Sequence, residues 1–472
     1  MVRLTSVAAL AIALLAQPAL ADTLSGAIAS AYETNPDLAA QRAVVRQVDE
    51  QVPQALSFGR PTVDVSVSEQ QNGLDFADNG RTSAVGLSIN QSLYRGGRTR
   101  SATNAADARV LAARSRLRAT ENTVILNTVT AYADVLRYAA LVDLNASQVK
   151  VLERELQASK DRFEVGDLTR TDVAQSQARL ENARSNYIAA QGTLSNAREY
   201  YRRTIGRLPE DLAPLPPLPV LPGTQGQAID LANANNPALL AARFDEAAAR
   251  YDVSTIERER LPSVGVGLGA NYQKFNGGGG GGSFVQQGSF FTQSAGIQLS
   301  VPIYQAGAVA SRVREAQARR SQLLEVIGST GRQVVEQATN SFVQIGIARA
   351  IIQSSQVAVD ANALALEGVT QENQVGTRTV LEVLNAQQEL LSTRTDLLTA
   401  QRNEYVAGYT LLAAVGVAEA AALEVPVNAY DSTLNAKRVR HKWNDFDLDP
   451  NAPALPLPDP VSASRSVTIP PR

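Results

Sequence analysis

Residues 299–307 read LSVPIYQAG, and this stretch separates an alternating strand pattern from a very long helical one. On its N-terminal side, Ile297, Leu299 and Val301 alternate with small or polar residues, which predicts a strand. On its C-terminal side no proline occurs before the turn at Val375-Gly376, and Ala, Arg, Gln, Glu, Leu and Val dominate. The stretch therefore predicts a strand-to-helix junction, followed by a helix of about 65 to 70 residues, roughly 100 Å long.

This junction has a counterpart in the first half of the chain. Leu93-Tyr94 matches Ile303-Tyr304, 210 residues later, and Val165-Gly166 matches Val375-Gly376 at the same offset. Asn-Pro at position 35 recurs 201 residues later at position 236. The difference between the offsets falls in a segment that contains the glycine run at 277–282, so we interpret it as a loop insertion. A period of about 200 residues indicates a duplicated domain.

Each copy is predicted to hold a half-length helix, a β-hairpin, a long helix and a second half-length helix, packed antiparallel. The first copy spans residues 22–207, with its first half helix near 24–56, hairpin at 62–94, long helix at 96–164 and second half helix at 171–206. The second copy spans 226–417, with its first half helix near 228–258, hairpin at 263–304, long helix at 306–374 and second half helix at 379–415. A proline-rich linker at 208–225 joins the copies as an extended strap. A polar, proline-rich tail at 418–472 either wraps the helices or hangs free.

The hairpins carry apolar residues on one face of each strand, as Val85, Leu87 and Ile89 illustrate. Period two with small or polar residues opposite suits a barrel strand between lipid and water, although a soluble hairpin packed on the helices has the same pattern. Two hairpins supply four strands, whereas a membrane barrel needs about eight at the least. Because open sheet edges are not tolerated in lipid, a membrane location would require an oligomer.

The N-terminus has the parts of a secretory signal, namely Arg3, an apolar run at 7–16 and a small-residue ending before Asp22. Residues 1–21 are therefore predicted to be a signal peptide, with a short buried helix as the alternative. The chain has no cysteine, which excludes disulfides, thiol catalysis and lipidation at a cysteine. After the signal we find no run of about 18 apolar residues that would span a membrane as a helix.

Enzymatic function is disfavoured by the residue types present. The one histidine, His441, lies in the polar tail, so no catalytic residue, metal site or cofactor is predicted in the main body. Lys and Arg number 44 against 46 Asp and Glu, and the charges are mixed along the chain. This balance predicts no nucleic-acid partner.

The junction at 299–307, the turn Val375-Gly376-Thr377-Arg378-Thr379, the paired Asn-Pro motifs and the duplication together resemble the TolC-like outer-membrane channels of Gram-negative bacteria. The resemblance covers about residues 22–417. It implies a mainly α fold with a membrane β-barrel, in which a trimer forms one 12-stranded barrel continued by a periplasmic α-helical barrel. It also implies an exit duct for tripartite efflux or type I protein secretion. The implied partners are a periplasmic adaptor (membrane fusion) protein, an inner-membrane ABC or RND transporter and outer-membrane lipid.

The resemblance also points to a periplasmic gate at the helix turns. The arginine of the family's second turn is matched by Arg378 and the acidic residue after its first turn by Asp172, so a link between them would hold the entrance closed. The best-known member has two pore-facing aspartates where this chain has Glu382 and Asn385, and a gate tyrosine where it has Asn373. We expect weaker cation block and a looser gate, with a solvated helix charge as the alternative for Glu382.

The tips of the turns are the predicted docking points for the adaptor. They comprise five residues: Val165, Gly166, Val375, Gly376 and Thr377. The glycines are suited to left-handed helix caps, so these turns serve capping alone or both capping and docking. A secreted coiled-coil scaffold or adhesin without channel activity is the alternative function, and the paired alternating strands argue against it.

Overall fold

The computed structural model describes residues 22–72, 80–276 and 288–448. The predicted signal peptide, the glycine run at 277–282 and the tail beyond residue 448 lie outside these residues. The first copy contains α1 (Leu24–Thr34), α2 (Pro36–Asp49), α3 (Gln51–Ser57), β1 (Thr62–Asn72), β2 (Gly80–Arg95), α4 (Arg98–Glu164) and α5 (Arg170–Ile205). The second contains α6 (Gln225–Asn235), α7 (Pro237–Glu257), β3 (Ser263–Asn276), β4 (Gly288–Ser300), α8 (Ala308–Gln374) and α9 (Val380–Ala414), and α10 (Thr433–Val439) follows.

The two long helices, α4 and α8, each have 67 residues and extend about 100 Å. In the second copy α8 packs against α9 along one part of its length and against α6 and α7 along another, and α4 packs in the same way against α5 and α1 to α3. Helix α7 also packs against α4, and α9 also packs against α4, which joins the copies. The long helices are thus each matched by shorter helices stacked end to end.

The first half helix of each copy is not continuous, contrary to the sequence analysis. Asn35 separates α1 from α2, and its side-chain oxygen accepts hydrogen bonds from the backbone N–H groups of Asp37 and Leu38. Asn236 separates α6 from α7 in the same way. The physical reason is the proline that follows each asparagine, because its ring excludes helical geometry in the preceding residue but favours a new first turn. A further break at Glu50 separates α2 from α3.

The four strands form one antiparallel sheet in the order β1-β2-β3-β4. Pairing of β2 with β3 joins the hairpins of the two copies, with Leu87 opposite Ala270 and Ile89 opposite Leu268. The second hairpin ends at Ser300 instead of residue 304, since Pro302 has no N–H group to continue the ladder. Strands β1 and β4 each leave one edge unpaired among the described residues.

The register gives the sheet two chemically different faces. Val65, Leu87 and Ala270 are direct neighbours across three strands, and so are Ile89 and Leu268. The opposite face is small or polar, as the residues Ser66, Ser88, Gly86, Gly267, Gly269, Asn271 and Ser294 show. Such a sheet can contact lipid on one face and water on the other.

The linker between the copies lies against the helices as an extended strap. Its residues Leu212, Leu215, Leu218 and Leu221 pack on the main apolar core, which includes Tyr132. The Tyr132 hydroxyl donates to the backbone carbonyls of Asp22 and Ala213, and the buried Asp22 carboxylate accepts hydrogen bonds from Tyr201 and Arg207. Hydrogen bonds to a charged group each contribute about 1.5–3 kcal/mol to stability. These contacts therefore hold the start of the described chain against the linker.

One 18-residue window of α8 has a mean hydropathy of 1.2, enough by length and composition to cross a membrane. No continuous apolar run marks this window in the sequence, because charged and polar residues interrupt it. Only 11% of the window is buried within the chain, and its apolar residues include Ile347 and Ile351, which are both exposed. Because α8 is far longer than a bilayer is thick, we interpret this face as a helix-packing surface.

Candidate functional site: the helix turns

Both helix turns lie at the end of the long helices that is remote from the sheet. The first turn joins α4 to α5 and the second joins α8 to α9. Arg162, at the end of α4, donates a hydrogen bond of 3.3 Å to the Oδ1 atom of Asn373, at the end of α8. The two turns of one chain are therefore neighbours, and the predicted site residues form one cluster.

A left-handed glycine ends each long helix. Gly166 has φ of +84° and Gly376 has φ of +81°. The backbone N–H groups of Gly166 and Asp167 donate to the carbonyls of Phe163 and Arg162, and the second turn repeats this pattern. This is the Schellman arrangement, which satisfies carbonyls that the helix end would leave unpaired.

A capping box begins each following helix. The Thr169 side chain accepts from the backbone N–H of Asp172, whose carboxylate accepts from the Thr169 N–H. Thr379 and Glu382 form the same reciprocal pair at the start of α9. Asp172 and Glu382 therefore have a structural role in addition to any role in the pore.

Hydrogen bonds lower the pKa of both carboxyl groups. The Thr169 side chain and backbone lower the pKa of Asp172 from its usual 3.8. The backbone N–H of Thr379, followed by the Arg378 guanidinium, lowers the pKa of Glu382 from 4.5 to about 2. A lowered pKa favours the folded state only while the group is ionised. The contribution of the Glu382 cap to stability is therefore fully present above pH 4.5. It is lost as the pH falls towards 2.

Arg378 is held between two carboxylates of its own chain. Its Nε atom donates to Glu372 at 2.7 Å and its Nη1 atom donates to Glu382 at 2.7 Å. Among the described residues Arg378 and Asp172 do not contact each other, so the predicted link between them is not made within one chain. It stays a prediction for contact between copies.

Asn373 supports the second turn from the inside. It is buried, its Nδ2 atom donates to the Arg378 carbonyl at 2.8 Å, and its Oδ1 atom accepts from Arg162. A buried amide that bonds two different segments holds the turn in one conformation. The residue that departs from the family tyrosine thus has its own bridging role.

Three further residues belong to the cluster and were missed by sequence reasoning. Arg162 bridges the turns, Glu372 competes for Arg378, and Arg179 on α5 donates to the Oδ1 atom of Asn385 on α9 at 2.7 Å. Nothing in the local sequence distinguishes Arg162 or Arg179 from other helix arginines. For Glu372 the sequence offers one indication, namely that Glu372 and Glu382 lie ten residues apart on either side of a turn that contains Arg378.

The predicted docking tips are small and exposed. Val165 is 80% exposed and Val375 is 75% exposed, although both are apolar. A Cβ atom added to Gly166 or Gly376 would meet nothing within 4 Å. Within the described part of the chain both tips are therefore largely uncovered and available for contact.

The model of the outer membrane efflux protein family matches two segments of the chain, residues 27–207 and 228–417. These segments coincide with the two structural copies and include both turns. Most of the chain is therefore accounted for by one family description.

Curated relatives cover most of the chain as well. The outer membrane efflux protein BepC of Brucella suis is 32% identical over 90% of this chain and 92% of its own length. The outer membrane protein TolC of Escherichia coli is 28% identical over 63% of this chain and 62% of its own length. The alkaline protease secretion protein AprF of Pseudomonas aeruginosa is 28% identical over 70% of this chain and 69% of its own length.

The fold is similar to that of solved outer-membrane channels. The structure of the Campylobacter jejuni CmeC outer membrane channel superposes with a TM-score of 0.73 and covers 89% of both chains. The sequence identity is 16%, so this likeness concerns the fold alone.

Proposed function

Because this chain belongs to the outer membrane efflux protein family, we propose that three copies form an exit duct from the periplasm to the exterior. The resemblance to TolC-like channels that the sequence indicated is confirmed by this membership. The protein is an outer-membrane channel protein, with its helical tunnel in the periplasm, and is not an enzyme.

The two-faced sheet carries the proposal. The described residues form four strands with one apolar face and two unpaired edges, and such a sheet can avoid open edges in lipid only by pairing with other copies. Three copies supply twelve strands, enough for a closed barrel. The polar face, rich in glycine and serine, would then line a water-filled lumen that continues between the long helices.

Cargo enters, in this proposal, through the helix turns. The tips Val165, Gly166, Val375, Gly376 and Thr377 dock with a periplasmic adaptor (membrane fusion) protein, which connects the duct to an inner-membrane ABC or RND transporter. Their exposure supports docking, since small uncovered tips can interdigitate with those of a partner. The names of BepC and AprF support efflux and protein secretion respectively as cargo routes.

The gate consists of Asp172, Arg378, Glu382, Asn385 and Asn373, together with the newly identified Arg162, Arg179 and Glu372. In each copy Arg378 binds Glu372 and Glu382, which holds the turn of α8 and α9 in a fixed conformation. Exposed ion pairs are individually weak, but a symmetric entrance opens only when the contacts of all three copies yield. Closure would thus be firm and still reversible.

Conductance of the purified protein in a planar lipid bilayer tests both the channel and its gate. We expect a small conductance for the unaltered protein and a severalfold larger one for Arg378→Ala, because its contacts with Glu372 and Glu382 are lost. Arg170→Ala is the matched control, since it removes the same charge from the same end of the molecule. A protein that inserts without conducting in any of the three forms would support the scaffold alternative.

The uncharged residue at position 385 predicts weak block of the channel by divalent cations. A trimer carries three copies of Glu382, each already bonded to Arg378, and Asn385 is bonded to Arg179. We expect weak block by Mg²⁺ in the unaltered protein and severalfold stronger block when Asn385→Asp is combined with Arg179→Ala, which doubles the ring carboxylates and removes the guanidinium that would pair with the new ones. Asn385→Ala controls for loss of the Arg179 contact. Equal block in the unaltered channel and the double variant would contradict the assignment of position 385 to the pore.

A further inference from the structure

Residues 430–448 of the C-terminal tail lie on the helices, and we name this segment the terminal strap. The Tyr430 N–H donates to the Tyr32 hydroxyl near the end of α1, and Asn435 donates to Asp49 at the end of α2. Helix α10, which contains Asn435, packs on α2. The sequence left open whether the tail wraps the helices or hangs free, and this part of it wraps.

The terminal strap continues from α2 to the base of the sheet. Arg440 donates to the carboxylate of Asp107, in the first part of α4 beneath the strands. Arg60, two residues before β1, then donates to the Lys442 carbonyl at 2.6 Å and to the Arg440 carbonyl at 3.4 Å. The terminal strap therefore extends along the helices from α2 to the level at which the strands begin.

Trp443 is fixed at this level. The Arg60 guanidinium lies 5.0 Å from the centre of the Trp443 ring, in a cation–π contact. The backbone beside Arg60 is itself held, because the Gly59 carbonyl accepts a hydrogen bond of 2.6 Å from Gln91 of β2. One stacked side chain thus connects the tryptophan to the base of the sheet.

The apolar side chains of this part of the strap face away from the chain. Trp443 is 68% exposed, Phe446 is 91% exposed and Leu448 is 81% exposed. Leu93 and Tyr94, near the end of β2, are exposed as well. Exposure of such a cluster to water is unfavourable. Its transfer out of water is favourable, in proportion to the apolar area removed from water.

Basic side chains accompany the cluster. Arg60 contacts Trp443, and Arg95, at the end of β2, lies 5.0 Å from the ring of Phe58. Aromatic rings with neighbouring arginines fit the boundary between acyl chains and phosphate headgroups, because the rings are amphipathic and the guanidinium groups bind phosphate. Through Arg60, Trp443 is held two residues before β1 begins, at the end of a sheet whose apolar face meets the acyl chains in an outer-membrane protein.

We propose that the terminal strap binds the phospholipid leaflet on the helical side of the membrane, with Trp443 and Phe446 inserted at the headgroup level. The strap then links the helical body to the membrane around the barrel, outside the barrel itself. In the absence of cysteine for lipidation, it gives each copy a second membrane contact.

The chain contains a single tryptophan, so its fluorescence reports on position 443 alone. The full-length protein is reconstituted into vesicles of phosphatidylethanolamine and phosphatidylglycerol, with or without lipids brominated on the acyl chain near the headgroup. We expect brominated lipids to quench Trp443 strongly, and aqueous iodide to quench it several times less than an exposed tryptophan. Both effects should appear without any partner protein.

Two relocated tryptophans, each in a Trp443→Phe background, supply the controls. Phe291→Trp lies on the apolar face of the sheet and should be quenched by brominated lipid, whereas Phe163→Trp lies near the turns and should be quenched by iodide only. If Phe291→Trp responds to brominated lipid and Trp443 does not, the strap proposal is overturned while the membrane sheet stands. Insensitivity of Trp443 to both quenchers would mean that another copy of the chain covers it, and this also overturns the proposal.

Discussion

Leu87→Arg is expected to prevent assembly in the outer membrane, whereas Ser88→Arg, at the adjacent residue, is expected to permit it. Leu87 lies near the middle of β2 on the apolar face, between Val65 and Ala270. An arginine on the lipid face near the bilayer centre costs about 2–4 kcal/mol, and a trimer would carry three. We expect the membrane fraction to lose most of the Leu87→Arg protein, measured by quantitative immunoblotting after separation of membranes.

Ser88 supplies the matched control because it lies on the opposite face, opposite Asp64 of β1 and Gly269 of β3. An arginine there would face water beside an acidic side chain and should change ion selectivity instead of assembly. If both variants reach the membrane equally, the apolar face does not contact lipid. If neither does, the polar face is packed as well and does not line a water-filled lumen.

Gly416→Ala is expected to lower the free energy of unfolding by about 2–5 kcal/mol, through left-handed strain and overpacking together. Gly416 has φ of +78° after the end of α9. A Cβ atom there would lie 2.5 Å from the Asn235 carbonyl oxygen and 2.9 Å from the Asn236 Cα atom. These are backbone atoms at the junction of α6 and α7, and they cannot move aside as a flexible side chain can.

Two other glycines separate strain from crowding. Gly166→Ala has nearly the same φ but open space, so we expect about 1–2 kcal/mol from strain alone. Gly206→Ala would meet the Thr34 hydroxyl at 2.9 Å, a side-chain atom, and should fall between the two. The measurement is the thermal midpoint of the detergent-solubilised protein by circular dichroism. A Gly416→Ala midpoint no lower than that of Gly166→Ala would contradict the close backbone approach.

The periodic parts of the fold could be predicted from the sequence, since they follow from local patterns. Alternation located the strands, and the absence of proline located α4 and α8 to within two residues at each end. The glycine turns were equally legible, because a left-handed cap favours glycine wherever the chain lies. The Asn-Pro pairs also indicate the interruption of the first half helices, although these helices were predicted to be continuous.

The candidate site was only partly predictable. The family resemblance named Arg378 and Glu382 as candidate gate residues, but it did not indicate the contacts that they make within one chain. Glu372 is reached across a turn, and Arg162 and Arg179 act on residues more than 200 positions away. Arginines on long exposed helices look alike in sequence, and only packing decides which of them meets an amide or a carboxylate.

By itself, the sequence determined the duplication, the element types and the alternation that gives each strand an apolar face, because these depend on neighbours a few residues apart. Only the tertiary structure decided that β2 pairs with β3. This pairing joins into one sheet the hairpin that precedes the LSVPIYQAG junction and the equivalent hairpin of the first copy. The tertiary structure alone also brought Trp443 to Arg60 and closed Arg378 between two carboxylates. The physical reason is that each of these contacts depends on the packing of whole elements, which no local propensity encodes.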